Sequence, residues 1–194
     1  VRLLAEFDME LDWVGFELHP GTPKGGMLVT DMFGEERVAA FRGHLEQAAA
    51  KVGVPLGSPT RIPNSRRALA LAEQARDAGS LQVARNALMD AHWLDARDIE
   101  ADDVLAEVAA KAGLDPATAV PACDSPEWQA RVDAMREEAA AWGVTGIPTF
   151  FFLPEGWTVD GIETWTGPQP LRVVGAQPLP LLRDAVRKIG AQPR

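Results

Sequence analysis

Few residues in this 194-residue chain are of a type that does chemistry, and their spacing narrows the choice further. Cysteine occurs once, at Cys123. A lone thiol forms no internal disulfide, and a redox role needs a partner thiol or a lowered pKa. Cys123 follows Pro121-Ala122 in a loop ahead of a helix start, so it reads as a passive small side chain, with a resolving or regulatory thiol as the alternative. His19, His44 and His92 are far apart, and neither His-x-x-x-His nor Cys-x-x-Cys spacing occurs, so no metal site is expected. Asp102-Asp103 resembles a carboxylate pair, but neighbours on a helix point in different directions. A helix start plus a solvated charge is the better account. Gly25-Gly26 lacks the Lys-Ser/Thr that a phosphate-cradling loop requires.

Two short segments hold more. In Asn64-Ser65-Arg66-Arg67, the first two residues are of the type that caps a helix, and the arginines read as surface charges. In Gly146-Ile147-Pro148-Thr149, a proline follows a turn glycine directly before an apolar run. On residue types alone Pro148 could serve only to end that turn. The six tryptophans, with no tyrosine, include Trp128 and Trp142 on a helical stripe. Trp157 and Trp165 fall in a Gly-rich connection, where they flank a groove or pack over a sheet edge.

The elements that must position these residues follow from periodicity. Leu3, Leu4, Phe7 and Leu11 recur at helical spacing, and Trp13–Leu18 reads as a strand closed by His19-Pro20-Gly21. Gly21 to Gly26 is a loop. Val38, Phe41, Leu45, Ala48 and Val52 form one stripe of a helix, with Gly53 where its C-terminal cap belongs. Three prolines stiffen the connector Val54–Asn64. From there to Trp142 the pattern is helical, with Asp115-Pro116 and Ser125-Pro126 as cap-then-proline starts. Thr149–Leu153 and Leu171–Val174 read as strands, and Leu179, Leu182, Val186 and Ile189 as a final amphipathic helix. A strand ahead of the first helix would complete βαβ, an inserted helical block, then ββα.

Composition bounds the function. Hydrophobic residues make up 46% and charged residues 24%, ordinary for a globule, and no apolar run approaches the ~20 residues of a membrane-spanning helix. The formal charge of −9 and the pI near 4.8 argue against nucleic acid and against anionic membrane surfaces. No basic-then-apolar leader opens the chain, so a cytoplasmic location is expected, unless the start has been removed.

The segment Gly143-Val-Thr-Gly-Ile-Pro-Thr-Phe-Phe-Phe152 resembles the Gly-Val-x-Gly-Val-Pro-Thr-Phe loop of DsbA-like thioredoxin-fold proteins. Phe16-Glu-Leu-His-Pro20, the stretch from Asn64 to Glu73, the stretch from Asp98 to Leu105, and Gly175-Ala-Gln-Pro178 are similar, in that order, to the subgroup of FrnE-type oxidoreductases and 2-hydroxychromene-2-carboxylate isomerases. The resemblance implies an α/β, thioredoxin-like fold with an all-helical insertion. Its parts would be a truncated N-terminal core at 1–63, the insertion at 64–142 and a C-terminal ββα part at 143–194. It implies that Pro148 is cis and that Ile147, Pro148 and Thr149, with Asn64 nearby, bind substrate, the backbone of Ile147 pairing with an extended chain.

The family's catalytic element lies just before the first helix: Cys-x-x-Cys in the oxidoreductases, serine in the isomerases. Neither is among these residues, so no catalytic residue is assigned to this chain, and it should be inactive in dithiol chemistry. The first, central strand of the fold would likewise precede Val1, within roughly 25 further residues. Without that strand, unpaired backbone groups at ~1–3 kcal/mol each would rival a total stability of ~5–15 kcal/mol. The function implied is thiol–disulfide oxidoreduction, acting on a thiol or disulfide protein, with no cofactor beyond glutathione as a co-substrate and with room for a homodimer. The alternatives are a glutathione-dependent isomerase or transferase, and a non-catalytic module that binds extended peptides.

Overall fold

The computed structural model describes residues 2–158 and 166–194. The chain divides into two compact units, one made of residues 1–14 with 139–194 and the other of residues 15–138.

The first unit contains helix α1 (Arg2–Glu6), strands β3 (Thr149–Phe152) and β4 (Leu171–Val174), and helix α9 (Leu179–Lys188). The two strands are antiparallel, with Thr149 opposite Val174 and Phe151 opposite Arg172. Alternation along β3 and β4 sends Phe150, Phe152, Leu171 and Val173 to one face, where they pack with Phe7, Ala185, Val186 and Ile189. The helix expected to reach Leu11 stops at Glu6, because Phe7 leaves it to bridge Pro193. Asp8 N–H donates to Gln192 O at 2.8 Å and Arg194 N–H to Glu6 O at 3.0 Å. A bidentate pair at 2.7 Å between Arg183 and Glu6 ties α9 to α1. It holds the Glu6 carboxyl below the usual carboxylate range.

The second unit is built on helices α4 (Arg66–Asp77), α5 (Leu81–Trp93), α6 (Asp102–Lys111), α7 (Pro116–Ala122) and most of α8 (Pro126–Ala141). Their starts follow the residue types. Asp115 Oδ1 accepts from Ala117 N–H at 3.1 Å and Ser125 Oγ from Trp128 N–H at 3.5 Å. The core is rich in small residues: Ala68, Ala70, Ala75, Ala84 and Ala109 surround Leu71, Leu105 and Val132. Alanine faces let helix axes approach closely, so the few large side chains carry most of the apolar burial.

Ahead of this bundle the chain departs from expectation. Trp13–Leu18, expected as a strand, joins no β-ladder among the described residues. The segment is instead anchored by a side chain, Glu17, at 5% exposure. Two elements without sequence signal appear: a two-residue antiparallel pair of β1 (Met27–Leu28) with β2 (Arg61–Ile62), and the short helix α2 (Val29–Phe33). Helix α3 (Glu35–Val52) forms with Gly53 closing it at φ 69°, but its stripe is not buried, and Phe41 is 63% exposed.

Segment 15–63 is fastened by long-range bonds. Glu17 pairs with Arg66 at 3.0 Å, and Arg66 also reaches Asp133 at 2.9 Å. Asn64 Nδ2 donates to Thr22 O at 2.8 Å, Gly25 N–H to Glu100 Oε2 at 2.7 Å, and Arg61 to the carbonyls of Gly25 and Gly26. Arg67 pairs with Asp102 at 2.7 Å and Asp124 at 3.1 Å.

Leu71 is fully buried. Leu71→Ala should cost about 2–5 kcal/mol in urea unfolding followed by far-UV circular dichroism. A cost below ~1 kcal/mol would mean that the bundle collapses around the lost volume.

Candidate functional site

The loop that joins α8 to β3, with the first residue of β3, carries three of the four residues expected to bind substrate. Gly143, at φ 69°, closes α8: its N–H donates to Ala140 O at 2.9 Å, and Val144 N–H donates to Ala139 O at 2.8 Å. Thr149 then fixes the corner by donating its hydroxyl to Gly146 O at 2.7 Å. Pro148 O accepts from Gly175 N–H at 2.8 Å, tying the corner to the end of β4. The Ile147–Pro148 bond is cis.

Ile147 differs from its neighbours. Its side chain is 51% exposed, and its backbone N–H and C=O make no hydrogen bond among the described residues. Pro148 beside it is exposed as well, and Val174, opposite Thr149, is 49% exposed. An apolar ledge with free backbone groups thus stands at the head of β3.

The β3–β4 face on that side has an aromatic end and a charge. Trp142 meets Phe151 edge-on at 5.0 Å between ring centroids, and Trp157 meets Trp142 at 5.9 Å. Arg172, opposite Phe151, donates from Nη1 to Gly143 O at 3.1 Å. A Cβ at position 143 would approach that nitrogen to 2.9 Å, so glycine leaves room for the guanidinium. Trp165 lies outside the described residues.

The remaining sequence candidates fall in the other unit, and their polar groups serve the fold. Asn64, one residue ahead of the α4 N-cap Ser65, accepts from Arg66 N–H at 3.1 Å while it holds Thr22. Arg66 is engaged by Glu17, Asp133 and Gln129. Burial works against its charge, but the Asp133 hydrogen bond and the Glu17 charge outweigh that and raise its pKa. Arg67 is similarly engaged, so neither arginine presents an open fork to a carboxylate. Asp102 and Asp103 diverge as adjacent helical residues should, one to Arg67 and the other to Arg97. His19 stands edge-on to Phe33 at 6.0 Å. No group of three metal-ligating side chains occurs among the described residues, and no described helix is long and apolar enough to cross a membrane.

Cys123 is fully buried. Its thiol donates to Ala119 O at 3.2 Å and accepts from Gln74 Nε2 at 3.4 Å. Burial pushes the thiol up to about 11, although the Arg67 charge and the Gln74 bond favour the thiolate. Such a thiol is not a nucleophile at neutral pH. Arg172 and Glu17 are charged groups that sequence reasoning did not place. The first shows only once β3 and β4 are in register, and the second only once it is brought to Arg66.

With this geometry in place the comparisons are informative. Residues 2–187 match the DSBA-like thioredoxin domain, so the chain belongs to that family. Among solved structures, the chain is similar to a probable DsbA oxidoreductase from Streptomyces coelicolor, with 26% identity and a TM-score of 0.74 over 91% of this chain and 73% of that one. A candidate protein disulfide isomerase from Nitrosomonas europaea shares the fold at 18% identity and a TM-score of 0.60, over 78% and 72% of the two chains. No curated protein matches the sequence. The fold is thus DsbA-like and thioredoxin-like, helix-rich with small sheets, in a family of thiol–disulfide oxidoreductase type.

The thiol of Cys123 should resist a soluble thiol reagent at pH 7 in the folded protein and react in urea. Its raised pKa means that the stability it contributes is complete below pH 9, the ordinary value, and is lost as pH rises toward 11. On the order of 2 kcal/mol should disappear over that window. Cys123→Ala should flatten the decline in urea titrations at pH 8 and pH 10.5. Equal declines in both proteins would assign it to other groups.

Proposed function

We propose that the chain works in thiol–disulfide exchange of the FrnE type, with the Ile147–Thr149 corner receiving an extended segment of the substrate. The observation that carries this reading is Ile147, exposed and with its backbone N–H and C=O unpaired beside a strand. Free backbone groups next to a strand are what strand addition uses, and they dock a chain without regard to most of its sequence. The apolar surfaces of Ile147, Pro148 and Val174 add contact area without adding a competing hydrogen-bond demand.

The chemistry divides accordingly. A thiolate attacks one sulfur of the substrate disulfide, the S–S bond breaks, and the second substrate sulfur leaves as a thiolate. A resolving thiol then attacks the mixed disulfide, releasing the reduced substrate and leaving a new disulfide on the enzyme. Cys123 fits neither thiol role, being buried with a raised pKa. Both roles need a Cys-x-x-Cys pair, which is not among these 194 residues, with the nucleophile at a helix N-terminus that lowers its pKa. The partners are thiol or disulfide proteins in the cytoplasm, with glutathione as a co-substrate. Asn64 contributes by holding the segment through Thr22.

The sequence encoded upstream of Val1, together with the intact mass of the native protein, tests the assignment. Cys-x-x-Cys within the native mass is expected, and serine at the first position would instead favour glutathione chemistry. The 194-residue chain should reduce insulin with dithiothreitol no faster than the uncatalysed rate, while the form carrying the motif should turn over. Turnover by the 194-residue chain would overturn the assignment.

A further inference from the structure

Helix α3 is seated on its unit by one side only. Val38, Arg42, Leu45 and Ala49, which share a face, are partly buried, and Arg42 donates to Pro59 O at 3.4 Å. No residue of this 18-residue helix is fully buried. The next row round the helix, Phe41, Ala48 and Val52, is exposed, with Phe41 at 63% and Val52 at 54%. Beside it runs a second exposed row, Arg37, His44 and Lys51, in which each residue follows the last by two helical turns. By helical geometry these three stand about 40–80° round the axis from Phe41, whereas Glu35, Glu36 and Glu46 stand about 120–140° from it. The side chains of Arg37, His44 and Lys51 make no ion pair or hydrogen bond among the described residues. An uncovered apolar row thus borders an unpaired basic one, in a chain whose formal charge is −9.

We propose that this side of α3 docks an acidic amphipathic helix of a partner protein. The partner's apolar stripe lies on Phe41, Ala48 and Val52, and its carboxylates lie along Arg37, His44 and Lys51. Rows that recur every three, four and seven residues fit the ridges of another helix, and the span from Arg37 to Lys51 is about 21 Å, or roughly four turns. The charges argue against a second copy of this chain as the occupant. In an antiparallel pair about a twofold axis each flank meets the same flank of its mate, so the two basic rows would oppose each other. In a parallel pair the basic row would meet the flank that holds Arg42, which α3 already turns toward its own unit. A partner with aspartate or glutamate beside its apolar stripe meets neither obstacle. This face can dock a partner whether or not the Ile147 corner receives a substrate segment.

Two fluorescent helical peptides of three heptads each test this on the 194-residue chain. Both carry leucine at positions a and d, and one has glutamate, the other lysine, at e and g. Affinity is read by fluorescence anisotropy and the docking position by the amide shifts of residues 37–52. The acidic peptide should bind about fivefold more tightly, the range of two or three exposed ion pairs. The formal charge of −9 predicts the reverse order at long range, so this preference would come from the local basic row. Phe41→Ala should weaken the acidic peptide by about fivefold, as loss of an apolar anchor does. Arg37→Glu combined with Lys51→Glu should reverse the preference. All three side chains are exposed, so the variants should keep the parent's circular dichroism. Equal affinities, a preference for the basic peptide, or a preference that survives the double charge reversal overturns the proposal. So does an absence of binding by both peptides, or binding whose amide shifts fall outside α3. A chain that sediments as a dimer and becomes monomeric with Phe41→Ala would give this face to a second copy and overturn the acidic partner.

Discussion

A buried carboxylate organises much of this molecule. Glu17 sits at 5% exposure in a segment that joins no described ladder, so its charge and the surrounding backbone lack the usual support of a sheet. Burying a carboxylate alone is prohibitive, and it is tolerated here because Arg66 meets it at 3.0 Å and a second arginine, Arg136, lies at 3.8 Å. Arg66 is itself fixed by Asp133 and by the side chain and carbonyl of Gln129 on α8. The pairing therefore couples an irregular segment to two helices at once. Removing either partner would strand the other, which makes the contact a determinant of one conformation more than a large net source of stability.

The same device recurs along residues 15–63. Asn64 holds Thr22, Glu100 holds Gly25, and Arg61 holds Gly25 and Gly26. In a sheet the backbone satisfies itself and side chains are free to vary. Here side chains hold the backbone or one another, so the residue types at 17, 61, 64, 66 and 100 are committed to the fold. Asn64 is a substrate-binding candidate only through the family resemblance, and the two arginines beside it read as surface charges. The structure gives them partners within the protein instead.

What the sequence revealed and what it concealed divides along the range of the interactions. The caps at Gly53, Asp115 and Ser125, the helices of the bundle and both strands of the β3–β4 pair depend on neighbours within a few residues, and their spacing exposed them. The corner at Ile147–Thr149 stood out through its resemblance to the DsbA-like loop, because on residue types alone Pro148 could serve only to end a turn. The strand expected at Trp13–Leu18 had the right composition, but a strand also needs a ladder partner, which composition does not supply. The two-residue β1–β2 pair, the Glu17 anchor and the place of Arg172 depend on partners dozens of residues away. The stripe of α3 was read correctly as a pattern, yet a pattern does not say what covers it, and Phe41 remains exposed.

Gly143 illustrates how a residue without a side chain can govern a charge it does not carry. Its left-handed backbone ends α8, and the space where its Cβ would stand is what admits the Arg172 guanidinium to its carbonyl. The arginine is flexible at its far end, so a neutral side chain at 143 would displace the cation, and it would also strain the left-handed backbone. Position 143 thus acts on the electrostatic pattern of the β3–β4 face at constant net charge. Variation there would redistribute the field without leaving a trace in the count of acids and bases.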